Sequence, residues 1–161
     1  MTLQRLHLAT ALVEAEGHVL LVASRYPNQP LPLWGLPGGR QRDGELLMMT
    51  AIRELTEETG LSGRYVELAY VSESFDTAGE MHVLNTTFRF SVDRRPSDGL
   101  ELDLGRDAHV TEVAWVPREM VGDRIAVSVV REPLVAHLAD PASRYYGFAE
   151  AGISIAFADE A

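Results

Sequence analysis

Residues 39–61 read GRQRDGELLMMTAIRELTEETGL, and the rest of the chain is best read outward from them. Asp43 is the expected helix cap, and Glu45 falls where the positive end of the helix dipole favours a carboxylate. Gly60 supplies a left-handed C-cap. At about 100° per residue, Glu54, Glu57 and Glu58 fall within an arc of roughly 100° on one face of this helix. Met48, Ile52 and Leu55 take another face and can pack on a sheet.

The acidic face is a poor choice for stability alone. Glu54 and Glu58 are like charges at i,i+4, which costs a few tenths of a kcal/mol. Glu57 and Glu58 also sit at the helix end where the dipole is already negative. Arg53 can relieve Glu57, but one arginine does not neutralise three carboxylates. A divalent cation does, and Mg²⁺ or Mn²⁺ prefers hard oxygen ligands.

On either side the chain alternates strands and loops. Residues 5–13 and 18–24 read as a hairpin broken at Glu14–Gly17. The Pro- and Gly-rich stretch 26–39 is loop, with room for a short strand at 33–36. Residues 64–75 and 81–92 read as strands, 93–108 as a polar loop, and 110–116 as a strand ended by Pro117. Residues 125–138 read as a second helix kinked at Pro133. With no repeat and no linker, this is one α+β domain spanning residues 1–161.

Composition excludes several function classes. The chain has no cysteine, which removes disulfides, thiolate metal sites and a cysteine nucleophile. The five histidines never pair at helical metal spacing. Lys plus Arg number 14 against 24 Asp plus Glu, a net charge of -10 that repels duplex nucleic acid. No apolar run spans a bilayer, and no signal-like segment opens the chain. The expectation is a cytoplasmic protein with no membrane partner.

Residues 39–61 resemble the Nudix box, G-x5-E-x7-R-E-U-x-E-E-x-G-U with U a bulky aliphatic, at all nine specified positions. The resemblance implies the Nudix fold, a mixed β-sheet between helices (α/β/α), and an enzyme that hydrolyses pyrophosphate bonds. It implies that Glu57 and Glu58 ligate a divalent metal, Mg²⁺ with Mn²⁺ as substitute. Glu54 is a ligand or the general base, Gly39 offers a carbonyl ligand, and Arg53 orients a glutamate. Arg25 and Arg40 are candidates for holding phosphates. Glu112 is a candidate later acidic residue, with Glu101, Asp103 and Asp107 competing for that place. Metal would also reconcile an acidic chain with an anionic substrate, because it inverts the local field.

The expected substrate is a nucleoside triphosphate, possibly oxidised, or a dinucleoside polyphosphate. The stretch Ser72–Glu80 lacks the proline or tyrosine markers of some subgroups, which weakens ADP-ribose or a dedicated dinucleoside polyphosphate specificity; an ADP-ribose or nucleotide-sugar pyrophosphatase is the alternative. A non-catalytic nucleotide-binding regulator is disfavoured because all three box carboxylates are present. Ile153, Ile155 and Phe157 alternate as an edge strand would. An uncovered apolar edge favours a homodimer through this tail or the N-terminal strands.

Overall fold

A computed structural model describes residues 2–98 and 108–157. Glu101, Asp103 and Asp107 lie outside the described residues. The chain begins with β1 (Gln4–Ala15) and β2 (His18–Ser24), joined by Glu16 and Gly17. Both linking residues have positive φ, 50° and 73°. That geometry lets a two-residue turn match the twist of its strands.

The hairpin then splits. β1 and β2 pair only at Glu14↔Val19 and Ala15↔His18. Beyond that point the Pro- and Gly-rich stretch is wedged between them. Its strand β3 (Leu33–Gly35) pairs with β2, and β4 (Gly38–Arg40) pairs with β1 at Leu8, Ala9 and Thr10. The split creates the cleft described below.

Helix α1 (Leu47–Thr59) is followed by β5 (Arg64–Asp76) and β6 (Met81–Ser91), an antiparallel pair with two register shifts. β6 lies parallel to β1, from Gln4↔Met81 to Val13↔Phe90. β7 (Val110–Pro117) covers the other edge of β2. α2 (Val121–Arg124) and α3 (Ser128–Ala139) lead to β8 (Arg144–Phe148), which is parallel to β5. The main path of the sheet runs β3-β2-β1-β6-β5-β8.

Period-two alternation on β1 divides the core between the two faces. Ala9, Ala11 and Val13 pack with Ala51, Leu55 and Phe90 beneath α1. Leu12 turns the other way, toward Tyr70, Ile125, Leu134 and Leu138 beneath α2 and α3. This is the expected mixed sheet between helices. Leu55 is fully buried, and cutting it to alanine should cost roughly 2–5 kcal/mol.

Three details differ from the sequence reading. Leu46, in extended conformation and without a side-chain cap bond, takes the N-cap position, so Asp43 does not cap α1. The carboxylate of Glu45 organises the approach instead, accepting from the Arg42 N–H at 3.2 Å and the Thr50 hydroxyl at 2.7 Å. Gly60 does close the helix at φ 74°, its N–H donating to the Thr56 carbonyl. The second helix starts later than expected, as α3 at Ser128, with 125–127 not helical and the short α2 before them, and α3 continues through a buried Pro133. The tail at 153–157 forms no strand; β8 takes the edge beside β5. Among the described residues, no helix is long and apolar enough to cross a membrane.

Candidate active site

Between the diverging strands lies a cavity of about 740 Å³. One end is built by the second half of the quoted stretch. There Glu54 and Glu57 of α1 face Gly38 and Gly39 of β4, and Arg25, Arg40 and Arg42 stand along the wall. The other end is lined by β1, β5 and β6 and by the tail.

Arg53 holds the carboxylate end together. Its Nε donates to Glu45 Oε2 at 2.8 Å and one terminal nitrogen to Glu45 Oε1 at 3.1 Å. The other terminal nitrogen donates to Glu54 Oε1 at 2.7 Å and to Glu57 Oε2 at 3.3 Å. The remaining contact is to the Arg40 carbonyl at 3.0 Å, which ties α1 to β4. Glu45, then burial, set the balance at Arg53, whose pKa rises further above its already high value. The guanidinium is a permanent cation. The same pairing, led by the Arg53 hydrogen bond, lowers Glu45 to about 2.

Glycine has a steric reason at two neighbouring positions. A Cβ on Gly39 would lie 2.6 Å from Glu54 Oε1, so the glycine lets that carboxylate sit against the β4 backbone. A Cβ on Gly38 would lie 2.4 Å from the Ala9 carbonyl oxygen. Its N–H, so exposed on close-packed backbone, donates to Glu58 Oε1 at 3.2 Å. Glu58 is 1% exposed and Glu54 4%, whereas the Glu57 side chain is 35% exposed. Tyr26 lies close enough to feel the charge on Glu58. Burial first, and that charge second, push the Tyr26 phenol up to about 12, so it stays a neutral donor.

The match to known proteins follows the same boundaries. A model of the NUDIX domain matches residues 4–138, from β1 through most of α3. The chain belongs to the NUDIX family. It is 33% identical over 126 residues to a putative mutator protein MutT4 of Mycobacterium tuberculosis, covering 78% of this chain and 48% of that protein. It is 33% identical over 111 residues to an ADP-ribose pyrophosphatase of Methanocaldococcus jannaschii, covering 66% of this chain and 62% of that one. The chain thus spans about half to three-fifths of the length of these relatives. A NUDIX hydrolase from Nitrosomonas europaea shares the fold with a TM-score of 0.71 at 20% identity, covering 86% of this chain and 92% of that one. A NUDIX domain of Shewanella oneidensis NrtR, crystallised with ADP ribose, does so with a TM-score of 0.65 at 22% identity, covering 85% and 88%.

NUDIX enzymes generally use a divalent metal, and the oxygen donors here suit one. Carboxylate and backbone carbonyl oxygens are hard donors of the kind divalent cations take. Gly39 also leaves open the space that a Cβ would fill beside Glu54. Among the described residues, however, no three acidic or imidazole groups already converge as a cage. Glu54 and Glu57 lean on Arg53, and Glu58 leans on the Gly38 N–H. A cation would draw them from these donors.

Of the residues singled out in the sequence, Gly39, Arg53, Glu54, Glu57 and Glu58 come together, and Arg25 and Arg40 line the same cavity. Glu112 does not. It is exposed on β7 opposite Ala23 and is absent from the cavity lining, because period-two alternation sets Ala23 and its partner on the face opposite to Val22, which lines the cavity. Trp34 is half-buried on the core with the Arg124 guanidinium 4.9 Å from its ring centre. Sequence reasoning missed the polar floor formed by Thr10, Asn85, Ser72 and Ser74. The one signal for it is the Ser72-Glu73-Ser74 alternation, which puts both hydroxyls on one face of β5.

Proposed function

We propose that the chain hydrolyses a phosphoanhydride bond in a nucleoside diphosphate derivative, with a nucleoside triphosphate, oxidised ones included, or a dinucleoside polyphosphate as substrate. The observation that carries this reading is the placement of Glu54 and Glu57 in a cavity walled by Arg25, Arg40 and Arg42, with Glu54 against Gly39 and the buried Glu58 on the Gly38 N–H. Glu57, Glu58 and the Gly39 carbonyl are the residues that would hold Mg²⁺, or Mn²⁺ in its place; Glu54 either joins them or acts as base. The metal would neutralise phosphate charge and make water a stronger nucleophile.

The protein's own share is positioning and electrostatics, which phosphoryl transfer needs most. Arg53 fixes Glu54 and Glu57 by charge-assisted hydrogen bonds. The Gly38 N–H fixes Glu58. Arg25, Arg40 and Arg42 present cations to phosphate oxygens along the wall. Water forms the new bond to phosphorus, the bridging P–O bond breaks, and the leaving phosphate departs with its electron pair.

A second reading has its own support. The relative from Methanocaldococcus jannaschii is named an ADP-ribose pyrophosphatase, which keeps ADP-ribose or a nucleotide sugar as the competing substrate. One panel separates the two: phosphate or monophosphate release from nucleoside triphosphates, dinucleoside polyphosphates and ADP-ribose, each with Mg²⁺ and with excess EDTA. Turnover should require the cation, and ¹⁸O from labelled water should appear on a phosphate. Full activity in EDTA, or label on a sugar carbon, would refute the mechanism.

A further inference from the structure

The family match ends at residue 138, yet the cavity does not. Ile153, Ile155 and Phe157, from a segment without regular secondary structure, line it opposite Thr10, Asn85 and Ser74. This segment is fastened at several points by residues distant in sequence. The Ser154 carbonyl accepts from Asn28 Nδ2 at 2.7 Å and from Gln29 Nε2 at 2.9 Å. The Ala156 N–H donates to Asn28 Oδ1 at 2.8 Å, and the Ser154 hydroxyl donates to Asp76 Oδ2 at 2.9 Å. Upstream, the Ala151 N–H donates to the Phe75 carbonyl at 2.8 Å. At its end Phe157 packs edge-on against Tyr26 and accepts a hydrogen bond from Arg40 through its carbonyl, at 3.4 Å.

The chemistry of this end of the cavity is unlike that of the other. The floor carries hydroxyl and amide groups, with the buried Asp76 carboxylate beside them bonded to the Ser154 hydroxyl. Asn85 is held only loosely there, its Nδ2 donating to Thr10 Oγ1 at 3.3 Å, so its amide has further capacity to pair. The walls are aliphatic and aromatic: Leu8, Met81 and Val83 from the sheet, and the three tail residues opposite. A flat neutral group with edge donors and acceptors fits such a place, and a second phosphate does not. The Arg40–Phe157 contact joins this end to the cationic wall.

We infer that residues 151–157 form the specificity wall for the base of the nucleotide, with Ile153 and Ile155 as apolar contacts and Asn28 as the residue that positions the segment. The inference rests on the proposed nucleotide reading of the cleft. It also reassigns the alternation of Ile153, Ile155 and Phe157, which serves the cavity rather than an intermolecular strand edge. That removes the tail from the grounds for a homodimer.

The test uses the full chain with Ile155→Ala and, separately, Asn28→Ala, which changes an exposed residue outside the cavity lining. Steady-state kinetics over the four common nucleoside triphosphates and ADP-ribose should show KM for the best substrate raised about tenfold or more by Ile155→Ala, since apolar pocket contacts discriminate on that scale. The order of preference among bases should change, and kcat should move far less than KM. Asn28→Ala should shift KM in the same direction by less. Unchanged KM and unchanged base preference in both folded variants would overturn the inference. Binding of nucleoside monophosphates without metal, followed by calorimetry, keeps the two readings apart. If no substrate is turned over but Ile155→Ala weakens monophosphate binding, the hydrolase reading fails and the wall stands. If the unaltered chain hydrolyses nucleotides and Ile155→Ala leaves monophosphate binding unchanged, the wall fails and the hydrolase stands.

Discussion

The two ends of the cleft are built on opposite plans. Arg25 apart, the carboxylate end draws on one continuous run, Gly38 to Glu58, and its carboxylates are fixed by partners within that run. Arg53 reaches Glu45, Glu54 and Glu57, none more than eight positions away. The apolar end is assembled from chain that meets across far greater separations: Asn28 holds Ser154 across 126 positions and Asp76 holds it across 78. The first end is charged and rigidly cross-linked, suiting chemistry that is common to many substrates. The second is mostly apolar, with one buried carboxylate at Asp76, and is fastened by a few hydrogen bonds, suiting discrimination between them. Substitutions at the first should therefore act on kcat, and substitutions at the second on KM.

The largest effect should come from Glu57→Gln, which keeps shape and removes charge. We expect kcat to fall on the order of 10²–10³-fold. Melting temperature of the metal-free protein should stay the same or rise slightly, because a crowded negative charge at a helix C-terminus is gone. A large drop in melting temperature would assign the glutamate to the fold instead. Next is Gly39→Ala. Its Cβ would press on the Glu54 carboxylate, and a displacement of that size should cost roughly ten- to a hundredfold in kcat. If kcat holds while KM rises, the division between the two ends is wrong.

Gly79→Ala probes the other end. The added Cβ would lie 2.5 Å from Asp76 Oδ2 and 3.1 Å from the Ser154 hydroxyl, where the tail is latched. A rise in KM of roughly three- to tenfold with kcat retained is the expected result; a matching loss of kcat would show that the tail also shapes the carboxylate end.

How far the sequence reveals this architecture follows the same division. The box was readable because its carboxylates, its arginine and its glycines sit at helical and turn spacings within 23 residues. The hairpin of β1 and β2 was also readable from two apolar runs around a turn, though nothing in it announces that β3 and β4 force the pair apart. Asp43 was misleading: a capping residue type in a plausible place lost to Glu45, whose carboxylate had better partners in Arg53 and Thr50. The tail shows the deeper difficulty. Alternating Ile153, Ile155 and Phe157 look the same whether they meet a neighbouring strand or a cavity. Asn28, Gln29 and Asp76 decide the matter, and no local pattern marks them. Glu112 is a similar case: its place on a strand does not tell which face meets the cleft, and here it is exposed and absent from the cavity lining.

The smallest expected effect concerns Glu45 and acid. Its folded pKa of about 2 lies below the usual 4.5, so the unfolded chain takes up the proton first. The stabilisation is complete above about 4.5 and disappears as pH falls through 2. Glu45→Gln should thus lower the melting temperature at pH 6, and the difference from the unaltered protein should shrink toward pH 2. A difference independent of pH would mean that Glu45 acts through shape alone.

The parallel pairing of β1 with β6 also sets an order of manufacture. Thr10 and Thr87 meet across 77 positions of chain. At roughly 5–20 residues per second, a ribosome takes about 4–15 s to bridge that gap, whereas a hairpin closes in microseconds. The β1–β2 turn and the carboxylate helix are therefore both synthesised before the strand that completes the floor beneath them exists. During those seconds the apolar stripe of α1 has β1 and β2 to meet but not Phe90, and the edge of β1 that will take β6 has no partner strand. The nascent protein must carry its reactive end, fully spelled out, ahead of the scaffold that gives it a shape.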